Sequence, residues 1–461
     1  MSTAATKKKQ ELIERFGLDP VPKELRTSKW IDYTFIQIAF SVNAGNFLVP
    51  AMAVIEGGLS FQYAVLSTIL GASLAFFFVA WLSLPGATHG IPSQFAIRSI
   101  IGIKGARFAA SPIRTITSLY WFAVQTIGGS FVISELSYRL FSIEIPFLLI
   151  SISLAAIMTL LALIGFDAIK KATKFFIPIL FIGQGIILYL YITTDTIEKT
   201  FFSIVAEPQA FSSLNFLFFA SLAFIQYISG VSSSADIARY AKSERHSFYG
   251  LLGGNIIGFS MAALLAAYSA SAFNHINPFV SATQLTDSYL LISLITISAL
   301  FSMVSINMSN AYTGAFSLLN SIPNLGRVRS ALVFGGIAII MSCFPTVVTE
   351  AKQFISLLGG FVIPLSAVIV TDFILFKKNQ ISIKDLERII NPPLFQFNYS
   401  AFTTILIGMI SYFIISDHYS PGFCAFAISV IVYFGCERWR LWRKKEKPEQ
   451  QQKEQKQELS L

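Results

Sequence analysis

Two short stretches put polar groups where apolar ones are expected. Residues 226–234 read QYISGVSSS and residues 41–47 read SVNAGNF, and each lies inside an apolar run long enough to cross a bilayer. Hydroxyls and amides are costly in hydrocarbon unless every one finds a partner. A helix interrupted at such a stretch frees backbone N–H and C=O groups. These are tolerated at membrane depth only where they line a cavity, and there they become ligands. The chemistry offered is hydrogen bonding and dipole coordination rather than bond making.

Other residues could complete such a site. In YWFAVQTIGGS, Trp121 and Gln125 are four apart and share a helix face. A tryptophan offers a flat apolar surface, and a glutamine amide offers one acceptor and two donors. Together they suit a flat, uncharged, hydrogen-bonding ligand. Tyr227, flanked by Gln226 and Ser229, could supply a second aromatic wall opposite Trp121, each ring contact with a planar heterocycle being worth about 0.5–1.5 kcal/mol beyond area burial. The blander readings are core filling for the rings and interhelical hydrogen bonds for the amides.

In FSMVSINMSNAY, Ser302, Ser305 and Ser309 form a polar stripe at i, i+3, i+7 spacing, with Asn307 and Asn310 as an adjoining amide pair. Such a stripe must face protein or water. Its hydroxyls at Ser302 and Ser305, with carbonyls freed at Ser41 and Ala44, would present neutral oxygens to a monovalent cation, and Na+ is one candidate. The asparagines would read a ligand edge.

No carboxylate sits at the centre of these segments. Glu56, Glu135 and Asp287 fall near outer ends, and Asp236 and Asp372 fall near inner ends beside Arg239 and Lys377. Charges at helix ends can reach water, so Asp236 and Arg239 read as a gate or helix-end pair rather than a buried proton relay. A charged substrate would lack its partner.

A membrane-embedded enzyme has little support. There is no HExxH, no GxSxG and no paired intramembrane carboxylates, and the four histidines (His89, His246, His275, His418) are scattered over loops and ends. No cofactor is implied, only a coupling ion.

The elements that must hold these groups follow from composition. The chain has 461 residues, 54% apolar, 14% aromatic and only 13% charged, the balance of an all-α integral membrane protein. Apolar runs predict twelve spans at 30–57, 62–84, 111–138, 145–164, 173–193, 213–237, 248–272, 287–316, 328–346, 353–375, 401–416 and 420–437. Assigning each Lys and Arg to alternate connecting segments puts 31 on one side and 3 (Arg139, Lys199, Lys352) on the other. That asymmetry places both termini in the cytoplasm, here of a multi-pass inner-membrane protein.

The same bias explains the net charge of +9 without nucleic acid, and the tail CERWRLWRKKEK should lie on anionic lipid headgroups. No obligate protein partner is evident. The expected organisation is a cytoplasmic segment 1–29, a ten-helix core 30–375, a cytoplasmic loop 376–400, two added helices 401–437 and a tail 438–461. Beyond Pro448 that tail reads as disordered. Three cysteines (Cys343, Cys424, Cys436) imply neither disulfides nor a metal site.

Spans 1 and 6 are separated by five helices, so their polar interruptions enter the membrane from opposite sides and any repeat relating them is inverted. Taken with WFAVQ, QYISGVSSSADIARYAKS, TDFILFKK and HGIPSQFAIRSIIGIKGA, the chain over residues 28–437 resembles the nucleobase cation symporter-1 family of cytosine, purine and hydantoin permeases. The resemblance implies a LeuT-type core of two inverted five-helix repeats, discontinuous helices 1 and 6, and two further helices.

It also implies Trp121 and Tyr227 stacked on a ring, Gln125 reading an edge, and Gln226, Ser229, Asn307 and Asn310 adding hydrogen bonds. Tyr227 follows cytosine-type members and Gln125 hydantoin-type ones. Ile306 stands where sodium-binding members usually carry a second hydroxyl. The expectation is a symporter importing an uncharged nucleobase, cytosine or a purine first, with H+ or Na+ by alternating access. The alternatives are a hydantoin/allantoin-type carrier or another LeuT-fold carrier.

Overall fold

The computed structural model describes residues 16–163, 166–194, 201–206, 211–390 and 395–458. Among these the elements are helical, and the one extended pairing is a parallel bridge between Ser28 and Ala241. Among the described residues nine helices are long and apolar enough to cross a membrane, and the bent pair Trp30–Ser41 and Ala44–Ile55, with 58° between its halves, passes the same test taken together. Two shorter apolar helices, Phe147–Ala162 and Tyr399–Ile414, have 16 residues each. At 1.5 Å per residue they are ~24 Å long, and they fall on the expected spans 4 and 11.

Local chemistry explains the two breaks. In span 1, Asn43 is extended (φ −151°, ψ 168°) and caps the second half-helix, its Oδ1 accepting from the Asn46 N–H at 3.1 Å. Span 6 runs as Ser213–Ile228, a 3-10 turn Ser229–Ser232, and a short helix Ser234–Ala238. Serines favour this interruption because their hydroxyls bond the local backbone. Ser232 Oγ donates to Ser229 O at 2.7 Å and Ser233 Oγ to Gly230 O at 3.3 Å.

The first broken span lies on a glycine face. Gly250, Gly254 and Gly258 of span 7 (Glu244–Phe273) are four apart and meet span 1; a Cβ on Gly254 would stand 2.6 Å from the Thr34 carbonyl oxygen. Small residues let the backbones touch, as lipid-embedded helix pairs require. Span 3 (Ser111–Phe141) and span 8 (Tyr289–Ser321) pack along their lengths on the other side.

Several expectations are corrected. The connection between spans 2 and 3 contains helices Leu84–His89 and Ser93–Ile101, and the latter folds back against span 6. Arg114, counted with the basic connecting segments, is inside the helix of span 3 and buried. Asp236 and Arg239 do lie at the end of a helix, but neither reaches water: both are 0% exposed. Asp236 accepts from the Ser93 N–H, and Arg239 donates to Gly17 O of the segment 16–28. Nor is the tail unstructured beyond Pro448, because helix Pro421–Glu458 continues through it, in keeping with its Glu, Gln and Lys content.

Residues 16–28 are fastened across the basic face. Arg26 donates from Nε to Val21 O (2.8 Å), from Nη1 to Thr88 O and from Nη2 to His89 O (both 2.9 Å). Arg239 Nη1 donates to Gly17 O at 2.9 Å. On the opposite face, Lys352 pairs with Glu56 and Arg139 with Asp287, each at 3.2 Å.

Candidate functional site at the two helix breaks

One cavity of about 140 Å³ adjoins both breaks. Its walls include Trp121, Gln125, Gln226, Tyr227, Ser229 and Asn310, with Ser41 and Asn46 from span 1. Asn307 does not line it. The Asn307 amide donates to Phe122 O (3.0 Å), Thr126 Oγ1 (3.2 Å) and Met158 Sδ (3.0 Å), while its Oδ1 accepts from Asn310 Nδ2 at 3.1 Å. It therefore holds Asn310 in place from behind, and only Asn310 reaches the cavity.

The freed backbone of span 1 is satisfied by side-chain amides. Asn43 Nδ2 donates to Phe40 O, and Asn46 Nδ2 to Ser41 O at 2.7 Å. Gln125 Nε2 donates to Asn43 Oδ1 at 2.5 Å while its Oε1 accepts from Gly45 N at 3.3 Å. Gln226 Nε2 is shared among Gly45 O (3.2 Å), Asn46 Oδ1 (3.2 Å) and Tyr227 Oη (3.3 Å). Spans 3 and 6 thus grip the break in span 1 through one amide network. Gln226 Oε1 is buried with no hydrogen-bond partner.

The rings behave differently from the amides. Tyr227 is wedged against Phe76 (centroids 4.6 Å apart) and Phe259 (5.0 Å), and Trp121 against Tyr120 (4.9 Å). Both therefore have rigid backing on the cavity wall.

Of the oxygens considered for a cation, Ser302 Oγ donates to Val42 O and Ser305 Oγ to Phe301 O at 2.8 Å. The Ser41 carbonyl faces Asn46. Ala44 begins the second half-helix, and Ser302, Ser305 and Ala44 are outside the cavity wall while Ser41 is on it. Ser302 meets the turn at Val42 while Ser305 bonds within its own helix, and two of the freed carbonyls, Ser41 O and Val42 O, already accept from the chain's own donors. Among the described residues no group of three His, Cys, Asp or Glu could hold a metal ion.

Sequence reading missed the supports of the second break. Gln94 Nε2 donates to Ser232 O at 2.9 Å and its Oε1 accepts from Ser111 Oγ at 2.9 Å. The Ser93 N–H donates to Asp236 Oδ1 at 2.7 Å. The signal for them was the polar SQ pair in HGIPSQF, which has no helical period to announce what it faces. Also missed was Arg114, a cationic side chain on the cavity wall; one arginine among several near a span end carries no pattern.

An all-helical chain with apolar spans, two interrupted helices of opposite entry and a small polar cavity at their breaks defines a LeuT-type membrane transporter rather than an enzyme. Residues 20–434 match the family of permeases for cytosine/purines, uracil, thiamine and allantoin, and the chain belongs to that family, the nucleobase cation symporter-1 family.

It is 24% identical over 425 residues to an allantoin permease of Bacillus subtilis (strain 168), covering 85% of each chain. To a hydantoin permease of Microbacterium maritypicum it is 21% identical over 376 residues, covering 77% of this chain and 73% of the other. Among solved structures it resembles Mhp1, a nucleobase-cation-symport-1 family transporter in a closed conformation with bromovinylhydantoin bound, with TM-score 0.77 at 18% identity over 92% of this chain and 95% of that one. MhsT in complex with L-phenylalanine is more distant, with TM-score 0.61 at 11% identity over 89% and 99%.

Proposed function

We propose that this transporter is a symporter that imports a planar, uncharged nucleobase or related N-heterocycle together with a monovalent cation, by alternating access. The observation that carries this reading is the meeting of two backed aromatic rings, Trp121 and Tyr227, with Gln226, whose Oε1 has no hydrogen-bond partner, around one small cavity. A flat ring with an N–H edge satisfies all three. A buried acceptor left without a donor costs about 1–3 kcal/mol, so an analogue lacking that donor is rejected more strongly than one differing by a methyl group. Ser229 and Asn310 would add hydrogen bonds, and Gln125 would hold the first break while presenting its edge.

Cytosine or a purine is the first cargo, in keeping with the tyrosine at 227. A second reading, a hydantoin or allantoin, is favoured by Gln125 and by the named substrates of the relatives. The basic face is the cytoplasmic one in this reading, with both termini on it, by the asymmetry of lysine and arginine.

The cation would sit by Ser41, Ala44, Ser302 and Ser305. Asn46 and Ser302 already donate to Ser41 O and Val42 O, which leaves each carbonyl its second lone pair for Na+, and H+ is the other coupling ion the reading admits. Binding at adjacent breaks makes the two affinities rise together.

The test is uptake by the purified chain in liposomes, with cytosine, adenine, hypoxanthine, uracil, hydantoin and leucine as competitors, in Na+ and in Na+-free medium at two pH values. Competition by a planar heterocycle but not by leucine is expected. Competition by leucine alone would discard the reading.

A further inference from the structure

The cavity has a charged wall that the proposed role does not use. Arg114 lies seven residues before Trp121 on span 3, so the two share a helix face, about 10.5 Å apart along the axis at 1.5 Å per residue. Both line the same cavity. Arg114 is 8% exposed, its Nη2 donates to Thr313 Oγ1 at 3.1 Å, and its Nε has no hydrogen-bond partner.

Among the described residues no carboxylate stands within ion-pair distance of it; Asp236 acts on it only through space. A second residue of the same wall also holds an unpaired group: Ser234, 6% exposed, whose Oγ lacks a partner. Buried guanidinium groups inside a membrane are expensive and normally spend their donors. Here two wall residues toward the basic face, Arg114 and Ser234, keep an unspent donor each, while Gln226, at the breaks, keeps an unspent acceptor.

We infer that Arg114 is a specificity-determining, cargo-binding residue: with Ser234 it takes a carbonyl oxygen on an arm that projects from the bound ring toward the basic face. The cavity is then bipolar, with Trp121 and Tyr227 holding a ring whose N–H meets Gln226, and Arg114 holding an uncharged, acceptor-bearing substituent. The arm is neutral because the cargo proposed above is itself uncharged. This inference rests on the heterocycle reading proposed above.

The test compares binding of three rings to the purified full chain in nanodiscs: hydantoin with no arm, hydantoin with a ureido arm (allantoin), and hydantoin with a carboxymethyl arm. Wild type should bind the ureido ring most tightly. Arg114→Gln should weaken that ring by about 10- to 100-fold, the scale of one charge-assisted hydrogen bond, and leave bare hydantoin within about threefold. Arg114→Lys should recover part of the loss.

Retained hydantoin binding by Arg114→Gln shows that the variant is folded. Equal losses for bare and armed rings, no loss for either, or preference for the carboxymethyl ring would overturn the inference while leaving the heterocycle reading in place. If Arg114→Gln cannot be purified folded, Ser234→Ala serves the same comparison, with a smaller loss confined to the ureido ring. Wild type that binds none of the three would overturn this inference, whereas the competition assay above decides the broader reading separately.

Discussion

Gln125 on span 3 donates to Asn43 Oδ1 at 2.5 Å, and Asn43 caps the half-helix that begins span 1 anew. A residue that the sequence offers as a reader of cargo is thus first a clamp on the backbone. The same amide accepts from Gly45 N, so it holds both the cap and the first turn of the second half-helix.

Gln125→Ala should therefore do more than weaken cargo binding. It leaves the Gly45 N–H without its partner and Asn43 Oδ1 with the Asn46 N–H alone, at about 1–3 kcal/mol for an unpaired buried group. The expected outcome is lost uptake together with a lower thermal midpoint. Unchanged thermal unfolding with lost uptake would return Gln125 to a purely cargo-reading role.

Trp121→Ala should abolish uptake while the protein still inserts and purifies. Its ring is backed by Tyr120 and lines the cavity, so truncation removes a wall without exposing an unpaired polar group. Normal transport by this variant would remove the aromatic wall from the proposed mechanism.

Collapsing the membrane potential should lower accumulation. Moving one positive charge with an uncharged cargo couples about 2.3 kcal/mol per 100 mV, a ratio of roughly 50-fold at equilibrium. Accumulation that is the same with the potential at zero refutes net charge movement.

Gly254→Leu should prevent correct assembly. Even a Cβ there meets the Thr34 carbonyl at 2.6 Å, so span 7 must move away from span 1 and the break loses its support. Loss of folded, monodisperse protein on size exclusion is expected; a wild-type elution profile and uptake would show that this helix pair has slack.

The loop between spans 10 and 11 should be acid-sensitive. Burial by itself would raise the Asp385 carboxyl, but hydrogen bonds from Lys377 Nζ (2.7 Å) and Ser382, together with the lysine charge, hold it below its ordinary value. A depressed carboxyl stabilises the fold above its unfolded pKa, about 3.9, and the stabilisation is lost as pH falls through the folded value. Hydrogen exchange in residues 382–390 should rise at acid pH, and Asp385→Asn should raise it at neutral pH. Equal exchange in both proteins across that range would show that the ion pair contributes nothing to the loop.

Much of this molecule was legible from residue order because a bilayer is a one-dimensional filter: apolar runs of spanning length must be helices, and polar interruptions within them must face inward. SVNAGNF and QYISGVSSS announced the two breaks, and Trp121 and Gln125 announced a shared face by their spacing. Folding decided which polar group turns toward which neighbour. Asn307 looked equivalent to Asn310 and sits behind it, Arg114 looked like a connecting residue and lines the cavity, and Asp236 looked solvated and is sealed by Ser93. Helical periodicity fixes a side chain's direction about its own axis only. Its partner depends on how distant helices cross, and that is settled by packing among spans far apart in the chain.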